Sequence, residues 1–338
     1  METPTLPEKS KHKSIFNTFI KVILPLILGI LILYLLFRNN DFNEIWTILK
    51  DANWGILLFS LLFGVLGNTV RGYRWGLLIE PLGYKPKVSN LVFAIYGNYA
   101  INFAIPRAGE VWRCGMIAKE EKIPFTKLIG TMILDRMLDT LMVALITLFA
   151  FFINMQFFMT YIKNNKAAFD SILNILSSPL LYLGIIAFIG VVILIFKVFK
   201  ENFIIKKIRE LVSGFWSDLK AIWRMKQKGR LILYSFMIWG SYFLYFYITF
   251  YAFDFTANLG ITAGLIAFAL SSISMAIPTN GGMGPWHAAV IASLVLYNVA
   301  NAQADAFAFG VFAMQSLWVI LCGLFGIAAL AIKNRNNK

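Results

Sequence analysis

The chain has little charge and few histidines or cysteines. Charged residues make up 14% of its 338 positions, whereas 59% are hydrophobic. A soluble protein of this length needs more charge to cover its surface, so the composition excludes that class. The sequence also lacks the apolar and polar alternation that a membrane β-barrel requires. Apolar runs of about 20 residues recur instead, and they predict an all-α polytopic membrane protein.

Motifs for catalysis and metal binding are missing too. Cys114 and Cys322 lie in unrelated segments, and His12 and His287 are the only histidines. This excludes a disulfide framework and favours no metal site. The sequence contains no P-loop, nucleophile elbow or zinc-binding His-Glu pair. We therefore expect no cofactor and no metal, and we do not expect an enzyme.

The apolar segments predict one membrane domain, residues 15–332, between basic tails at 1–14 and 333–338. It would contain about six full spans, at 15–37, 53–80, 128–153, 176–199, 231–253 and 306–332.

The net charge of +14 is a topology signal rather than a nucleic-acid footprint. The loop at 197–230 holds ten Lys or Arg and only three Asp or Glu. Because positive residues remain in the cytoplasm, we expect this loop and both termini inside a bacterial-type plasma membrane. Apolar residues at helical spacing in the loop predict a basic amphipathic helix. It would lie on the inner leaflet or pack on the bundle.

Two further apolar elements share the pattern Ile-Pro-x-x-Gly, in "INFAIPRAGE" at 101–110 and "ISMAIPTNGG" at 273–282. Counting crossings between the basic loops requires 88–118 and 262–300 each to enter and leave the membrane on one side. Proline ends a helix and glycine permits a left-handed turn. We therefore predict two re-entrant helical hairpins. Their breakers would be Pro106, Gly109, Pro278 and Pro285.

Each predicted hairpin lies between two spans, which gives two triplets, about 53–153 and 231–332, of opposite orientation. Matched broken segments in inverted halves indicate a transporter binding site at their interface. The alternative is that the pattern recurs by chance in a chain rich in these residues.

Ionisable residues inside the apolar segments are energetically unfavourable, yet this chain has three stripes of them. The stripes are Arg71 and Arg74; Arg107, Glu110 and Arg113; and Asp135, Arg136 and Asp139. Five arginines face three acids, and the excess favours an anion such as phosphate. Two alternatives remain open. Arg71 and Arg74 could extend to the membrane surface, and the Asp135 stripe could be a structural salt-bridge lock.

The second hairpin carries a glycine-rich turn before Pro285. Exposed amides around Asn280, Gly281, Gly282 and Gly284 could hold an anion at the start of the next helix. His287 could join them, or it could be a hydrogen-bonded packing residue. Asn98 and Asn102, in the first hairpin, complete the predicted substrate-binding set.

The runs "GNTVRGYRW", "NYAINFAIPRAGEVWR", "LDRMLDT" and "IPTNGGMGPWHAA" together resemble the transmembrane domain of lysylphosphatidylglycerol synthases. The resemblance implies movement of a phospholipid between leaflets. It marks as functional Arg107, Glu110, Arg113, Asp135, Arg136, Asp139 and Gly281–Gly284. His287 departs from the family pattern, where an acid is frequent. Because the chain stops six residues after its last apolar segment, we expect it to lack the aminoacyl-transferase domain.

Three hypotheses follow. The first is a flippase-like translocator for a lipid with an anionic or zwitterionic headgroup, served by a separate lipid-synthesising enzyme. The second is a membrane-embedded enzyme that modifies a lipid headgroup, with Glu110 or Asp135 as acid-base. The third is an accessory subunit of a lipid-modifying or glycosyl-transfer enzyme. No nucleic-acid partner is expected in any of them.

Overall fold

A computed structural model describes residues 42–157 and 227–335, together with the isolated positions 34, 159, 177–179 and 183. Within this part of the chain every regular element is helical. Contacts divide the chain into two compact units, residues 1–150 with 229–338, and residues 151–228. All side chains of the candidate site belong to the first unit.

The described helices of the first half are α1 Phe42–Lys50, α2 Trp54–Ile79, α3 Val88–Ala104, α4 Ala108–Glu121 and α5 Phe125–Ile153. Those of the second half are α6 Lys228–Tyr247, α7 Asp254–Ala257, α8 Gly260–Ser274, α9 Pro285–Leu296 and α10 Asn301–Arg335. A 3-10 turn, Ile248–Ala252, extends α6.

Within the described residues, four helical segments are long and apolar enough to cross a membrane, which confirms four of the predicted spans. They are Trp54–Leu82, Phe125–Ile153, Lys228–Ala252 and Asn301–Lys333. The predicted spans 15–37 and 176–199 lie outside the described residues. So does nearly all of the predicted amphipathic segment 197–230.

Helix α5 shows the sidedness expected of a lipid-facing span. Leu141, Leu148 and Phe152 are exposed, whereas Asp135 and Asp139 on the same helix are buried. Exposed leucine and phenylalanine side chains are favourable in a bilayer, while carboxylates need protein partners there. The pattern therefore orients α5 with its acidic stripe toward the bundle.

Helix α1 was not predicted. Its 9 residues are too few for a span, and only Ile45 and Leu49, one helical turn apart, are buried in the bundle. Asn53 follows it and caps α2, its Oδ1 accepting from the Ile56 amide at 3.2 Å. The chain thus turns from α1 into the first described span within a few residues.

Helix α3 is short, yet it is held inside the bundle by close packing on α10. A Cβ atom at Gly326 would lie 2.7 Å from the carbonyl oxygen of Phe93, and one at Gly323 would lie 2.9 Å from that of Tyr96. In a membrane, no hydrophobic effect drives helices together. Small residues at the interface let the two backbones approach closely, so that van der Waals packing holds the helices in contact. This contact fixes the position of the first hairpin.

The second half packs around an aromatic cluster. The rings of Phe250 and Phe307 have centroids 5.3 Å apart, and Phe246 contacts Phe268 and Trp286 edge-on or tilted. These residues come from α6, the 3-10 turn that follows it, α8, α9 and α10. Aromatic packing therefore holds the second broken segment between its two flanking spans.

Candidate functional site

The first helix break lies between α3 and α4. Helix α3 ends at Ala104, and Pro106 follows the capping residue Ile105. Arg107, not glycine, takes the left-handed conformation, with φ 61°. The prediction that Gly109 supplies the left-handed turn is therefore wrong, although the break itself lies where Pro106 predicts it.

Gly109 has a different role, in close packing. It lies within α4, and a Cβ atom there would overlap the carbonyl oxygen of Asn98 on α3. Its amide donates to Oδ1 of Asn102 at 2.8 Å. Glycine thus allows the two helices of the hairpin to touch, and Asn102 joins them.

The second break, between α8 and α9, is longer. It includes Pro278 and the 3-10 turn Asn280–Gly282. Gly281, Gly282 and Gly284 all have positive φ, which L-residues with side chains adopt only at a steric cost. Pro285 is the first residue of α9, the position where a missing amide hydrogen removes no helical bond.

The two breaks meet. Asn280 donates from Nδ2 to the carbonyls of Phe103 at 3.0 Å and Ala104 at 3.3 Å, the last residues of α3. Gly281 sits directly against the Phe103 ring. Arg107 donates to the Ala276 carbonyl at 3.3 Å. We name this contact between residues 103–107 and 276–281 the hairpin junction.

The charged stripes form a separate, buried ion cluster. Arg74 on α2 reaches Asp135 at 2.7 Å and Asp139 at 2.6 Å, both on α5. Arg71 pairs closely with Asp139 and lies 3.6 Å from Asp135. The four side chains are almost fully buried, so Arg71 and Arg74 do not extend to the surface, which removes that alternative.

Arg113 brings α4 into the ion cluster. Its Nη2 lies 3.2 Å from Asp135, and its guanidinium carbon is 4.6 Å from the centre of the Trp75 ring. Nε and Nη1 of Arg113 are buried without a hydrogen-bond partner among the described residues. The ion pair with Asp135 and the cation–π contact with Trp75 together stabilise the buried Arg113 cation.

The margin of the cluster is more open. Arg136 pairs with Glu110 at 3.1 Å and approaches Asp139 at 3.6 Å, and its side chain is 36% exposed. The ion cluster thus contains four arginines and three carboxylates. Arg107 does not belong to it, so the charge excess in the cluster is smaller than the sequence count indicates.

Helix α6 contributes polar partners that the sequence reasoning missed. Ser235 accepts from Arg74 at 3.2 Å, and Tyr242 accepts from Nε of Arg71 at 3.2 Å. Trp239 donates to Asp139 at 3.4 Å. Positions 235, 239 and 242 lie on one helical face, and this spacing was the available signal.

Tyr242 also links the ion cluster to the first hairpin. Its hydroxyl donates to Oδ1 of Asn68 at 2.7 Å and lies 3.2 Å from the hydroxyl of Tyr99 on α3. A hydrogen-bonded network therefore runs from α3 through α6 to the arginines of α2.

The remaining predicted residues lie apart from the cluster contacts. Asn98 is fully buried in α3, and neither atom of its amide has a hydrogen-bond partner within the described residues. His287 is buried; its Nδ1 accepts from the Gly284 amide at 3.4 Å, and its ring lies 4.4 Å from that of Phe312. These contacts fit the packing alternative for His287. In the described segments no group of His, Cys, Asp and Glu could hold a metal ion.

A family model described as the lysylphosphatidylglycerol synthase TM region matches residues 22–323. Among curated proteins, the UPF0104 membrane protein MJ1595 of Methanocaldococcus jannaschii is 22% identical over 295 residues, covering 83% of this chain and 86% of that protein. The glycosyltransferase AglD of Haloferax volcanii is 26% identical over 126 residues, 37% of this chain. The match covers only 20% of the glycosyltransferase. No solved structure matches.

Proposed function

We propose, since the chain belongs to the family of lysylphosphatidylglycerol synthase transmembrane regions, that this multi-pass membrane protein is a flippase-like lipid translocator. The single observation that carries the proposal is the hairpin junction. Two broken helices place an exposed arginine beside exposed apolar side chains, between long apolar spans. A lipid presents the matching chemistry, a polar headgroup joined to acyl chains.

Arg107 is the headgroup ligand in this proposal. Its side chain is exposed, and it makes no ion pair with any carboxylate of the described residues. Ile105, Met275 and Ile277 beside it expose between 38% and 50% of their surface. The guanidinium suits a headgroup phosphate, and the apolar neighbours suit the first acyl carbons.

The ion cluster has a positioning role in the same proposal. Arg74 and Arg113 pair with Asp135 and are fully buried, so the ion cluster holds them inside the bundle and away from the exposed hairpin junction. Their pairs tie α2 and α4 to α5. The ion cluster thereby holds α4, the second helix of the first hairpin, against the long helices α2 and α5. The more open Glu110–Arg136 pair would form the polar margin along which a headgroup passes.

The two broken segments would be re-entrant hairpins of an inverted repeat, as the sequence predicts. Non-helical backbone within a bilayer must be buried in protein or line a wet cavity. The Asn280 side chain satisfies the end of α3 in the observed state. Translocation would require these two hydrogen bonds to open, so that the headgroup passes between the tips.

The test uses purified protein in liposomes that contain a fluorescent phospholipid, with a membrane-impermeant reductant that bleaches the outer leaflet. Translocation would let the reductant bleach the whole pool, whereas protein-free liposomes keep about half protected. Phosphatidylglycerol, phosphatidylethanolamine and phosphatidylcholine probes would define the headgroup class. Bleaching that stops at half for every headgroup contradicts the proposal.

Mass spectrometry of the same lipids separates transport from headgroup chemistry. A translocator leaves every lipid mass unchanged, whereas a modifying enzyme creates a new species. Asp135 is a poor acid-base because it accepts from Arg74 and Arg113 and lies close to Arg71. We therefore expect no new mass.

A second candidate function is an accessory subunit for a glycosyl-transfer enzyme. The observation that favours it is the similarity to 126 residues of a protein named as a glycosyltransferase. This role predicts stable co-purification with a separate transferase and loss of that transferase's activity in a deletion strain. A protein that purifies alone and moves lipid in liposomes excludes the need for such a partner.

A further inference from the structure

A cavity of about 230 Å³ lies outside both the ion cluster and the hairpin junction. It opens between the end of α2, the start of α3 and the start of α6. Its lining includes Lys85, Arg230, Tyr73, Tyr234 and Glu80. We propose that this cavity binds a phosphate group at the cytoplasmic membrane surface, presented by an anionic phospholipid.

The charges of the cavity favour an anion. Lys85 lies in the loop before α3 and Arg230 lies in α6; both are exposed, and neither pairs with a carboxylate among the described residues. Glu80 also lines the cavity, so its ionisable side chains give two cations against one carboxylate. A phosphate would bridge the two cations and neutralise the excess.

Helix geometry adds to this. At the start of α3, Val88 lines the cavity, but Oε1 of Glu121 already accepts from the Lys87 amide there at 3.1 Å, so this helix end is occupied. Arg230 lies in the first turn of α6. The first turn of α6 therefore borders the cavity, and the positive end of its helix dipole favours a bound anion there.

The aromatic lining indicates the depth of the cavity in the membrane. Tyr73 and Tyr234 come from two long apolar helices, and their ring centroids lie 6.3 Å apart, edge to face. Tyrosine is enriched at the level of lipid headgroups. The lysine and arginine at the same end assign it to the cytoplasmic leaflet.

The test titrates purified protein in detergent with dihexanoyl-phosphatidylglycerol and follows the thermal unfolding midpoint, which rises when a ligand binds the folded state. The variants are the double substitution Lys85→Gln and Arg230→Gln, the charge-retaining Arg230→Lys, and the control Lys87→Gln. Lys87 is an exposed cation of the same loop that does not line the cavity. We expect the double variant to need at least about tenfold more lipid, because charged hydrogen bonds are lost. Lys87→Gln and Arg230→Lys should stay close to wild type.

Two further titrations define the ligand. Dihexanoylglycerol, which has no phosphate, should leave the midpoint unchanged. If inorganic phosphate raises the unfolding midpoint of the wild type but not that of the double variant, the cavity recognises phosphate alone. If only the phospholipid raises the midpoint of the wild type, the cavity requires the lipid. Equal responses of wild type and double variant to phospholipid, or an equal response to dihexanoylglycerol, would overturn the proposal. Should the double variant fail to fold, Lys85→Gln alone gives the same comparison. The proposal requires only a membrane location and stands whether or not the hairpin junction moves lipid.

Discussion

At the residue scale, Asp135 is the most heavily committed side chain of the ion cluster. It is fully buried, and three arginines lie within 3.6 Å of its carboxylate. Burying any of these charges alone would be strongly unfavourable. The close pairing of Asp135 with the three arginines is therefore what stabilises charged groups between apolar helices.

Replacing Asp135 with Asn keeps the shape of the side chain but removes the charge that the arginines share. Loss of one partner from a buried ion network destabilises by about 3–5 kcal/mol. We expect a marked fall in the unfolding midpoint in detergent and poor yield of folded protein. Thr140→Ala on the exposed face of the same helix is the control and should change stability by about 0.5 kcal/mol or less. Equal unfolding midpoints for the wild type and Asp135→Asn would contradict a stabilising role of the ion cluster.

The sequence predicts which charges need partners but not which partner each receives. Spacing on a helix places Arg71 with Arg74 and Asp135 with Asp139, because neighbours one turn apart share a face. It does not reveal that Arg107 turns away to the Ala276 carbonyl while Arg113 enters the cluster. That division depends on the left-handed conformation of Arg107, which no local preference of arginine predicts.

At the element scale, the first hairpin depends on how closely α3 and α4 approach. Proline predicts the break because it ends a helix. The pattern also predicts that Gly109, three residues later, forms the turn, whereas the structure places it in the contact between the two helices. Sequence alone does not distinguish these uses, since both need a residue without a Cβ atom.

Gly109→Ala tests that contact. The added methyl group would overlap the Asn98 backbone, which cannot yield as a side chain can. We expect loss of about 1–3 kcal/mol or more of stability, the usual effect of overpacking, measured as a lower unfolding midpoint. Gly115→Ala in the same helix is the control, because nothing lies within 4 Å of its added Cβ atom. It should be neutral or stabilising by up to about 1 kcal/mol. A similar effect of both substitutions would exclude the packing role.

At the scale of the whole molecule, the four described spans follow from apolar length alone, and so they were predicted closely. The contact between the two hairpin tips was not predicted, because it joins residues 103–107 to residues 276–281, which lie far apart in the chain. Pattern reasoning indicates that both breaks exist, whereas only packing brings them together. The inverted orientation of the two halves stays a prediction.

Single-cysteine labelling in intact cells tests that orientation. Lys87 and Lys119 lie at the two ends of the first hairpin, and Asn258 and Asn301 at the two ends of the second. All four are exposed. We expect cysteines at Lys87 and Lys119 to react only after the membrane is permeabilised, and those at Asn258 and Asn301 to react from outside.

The background for this experiment carries Cys114→Ala and Cys322→Ala, because these are the two native thiols. It should retain the unfolding midpoint of the wild type before labelling is interpreted. If the two ends of either hairpin label from opposite sides, that segment crosses the membrane and is not re-entrant.

The most direct measurement of the central claim is lipid flipping by an Arg107→Gln variant in liposomes. We expect bleaching to stop near half of the fluorescent lipid, as in protein-free liposomes, while the unfolding midpoint stays that of the wild type. Arg107→Lys should retain part of the activity, because it keeps the charge without the bidentate geometry. Lys119→Gln, an exposed cation outside the junction, should flip lipid normally. Wild-type flipping by folded Arg107→Gln protein would contradict a headgroup site at the hairpin junction.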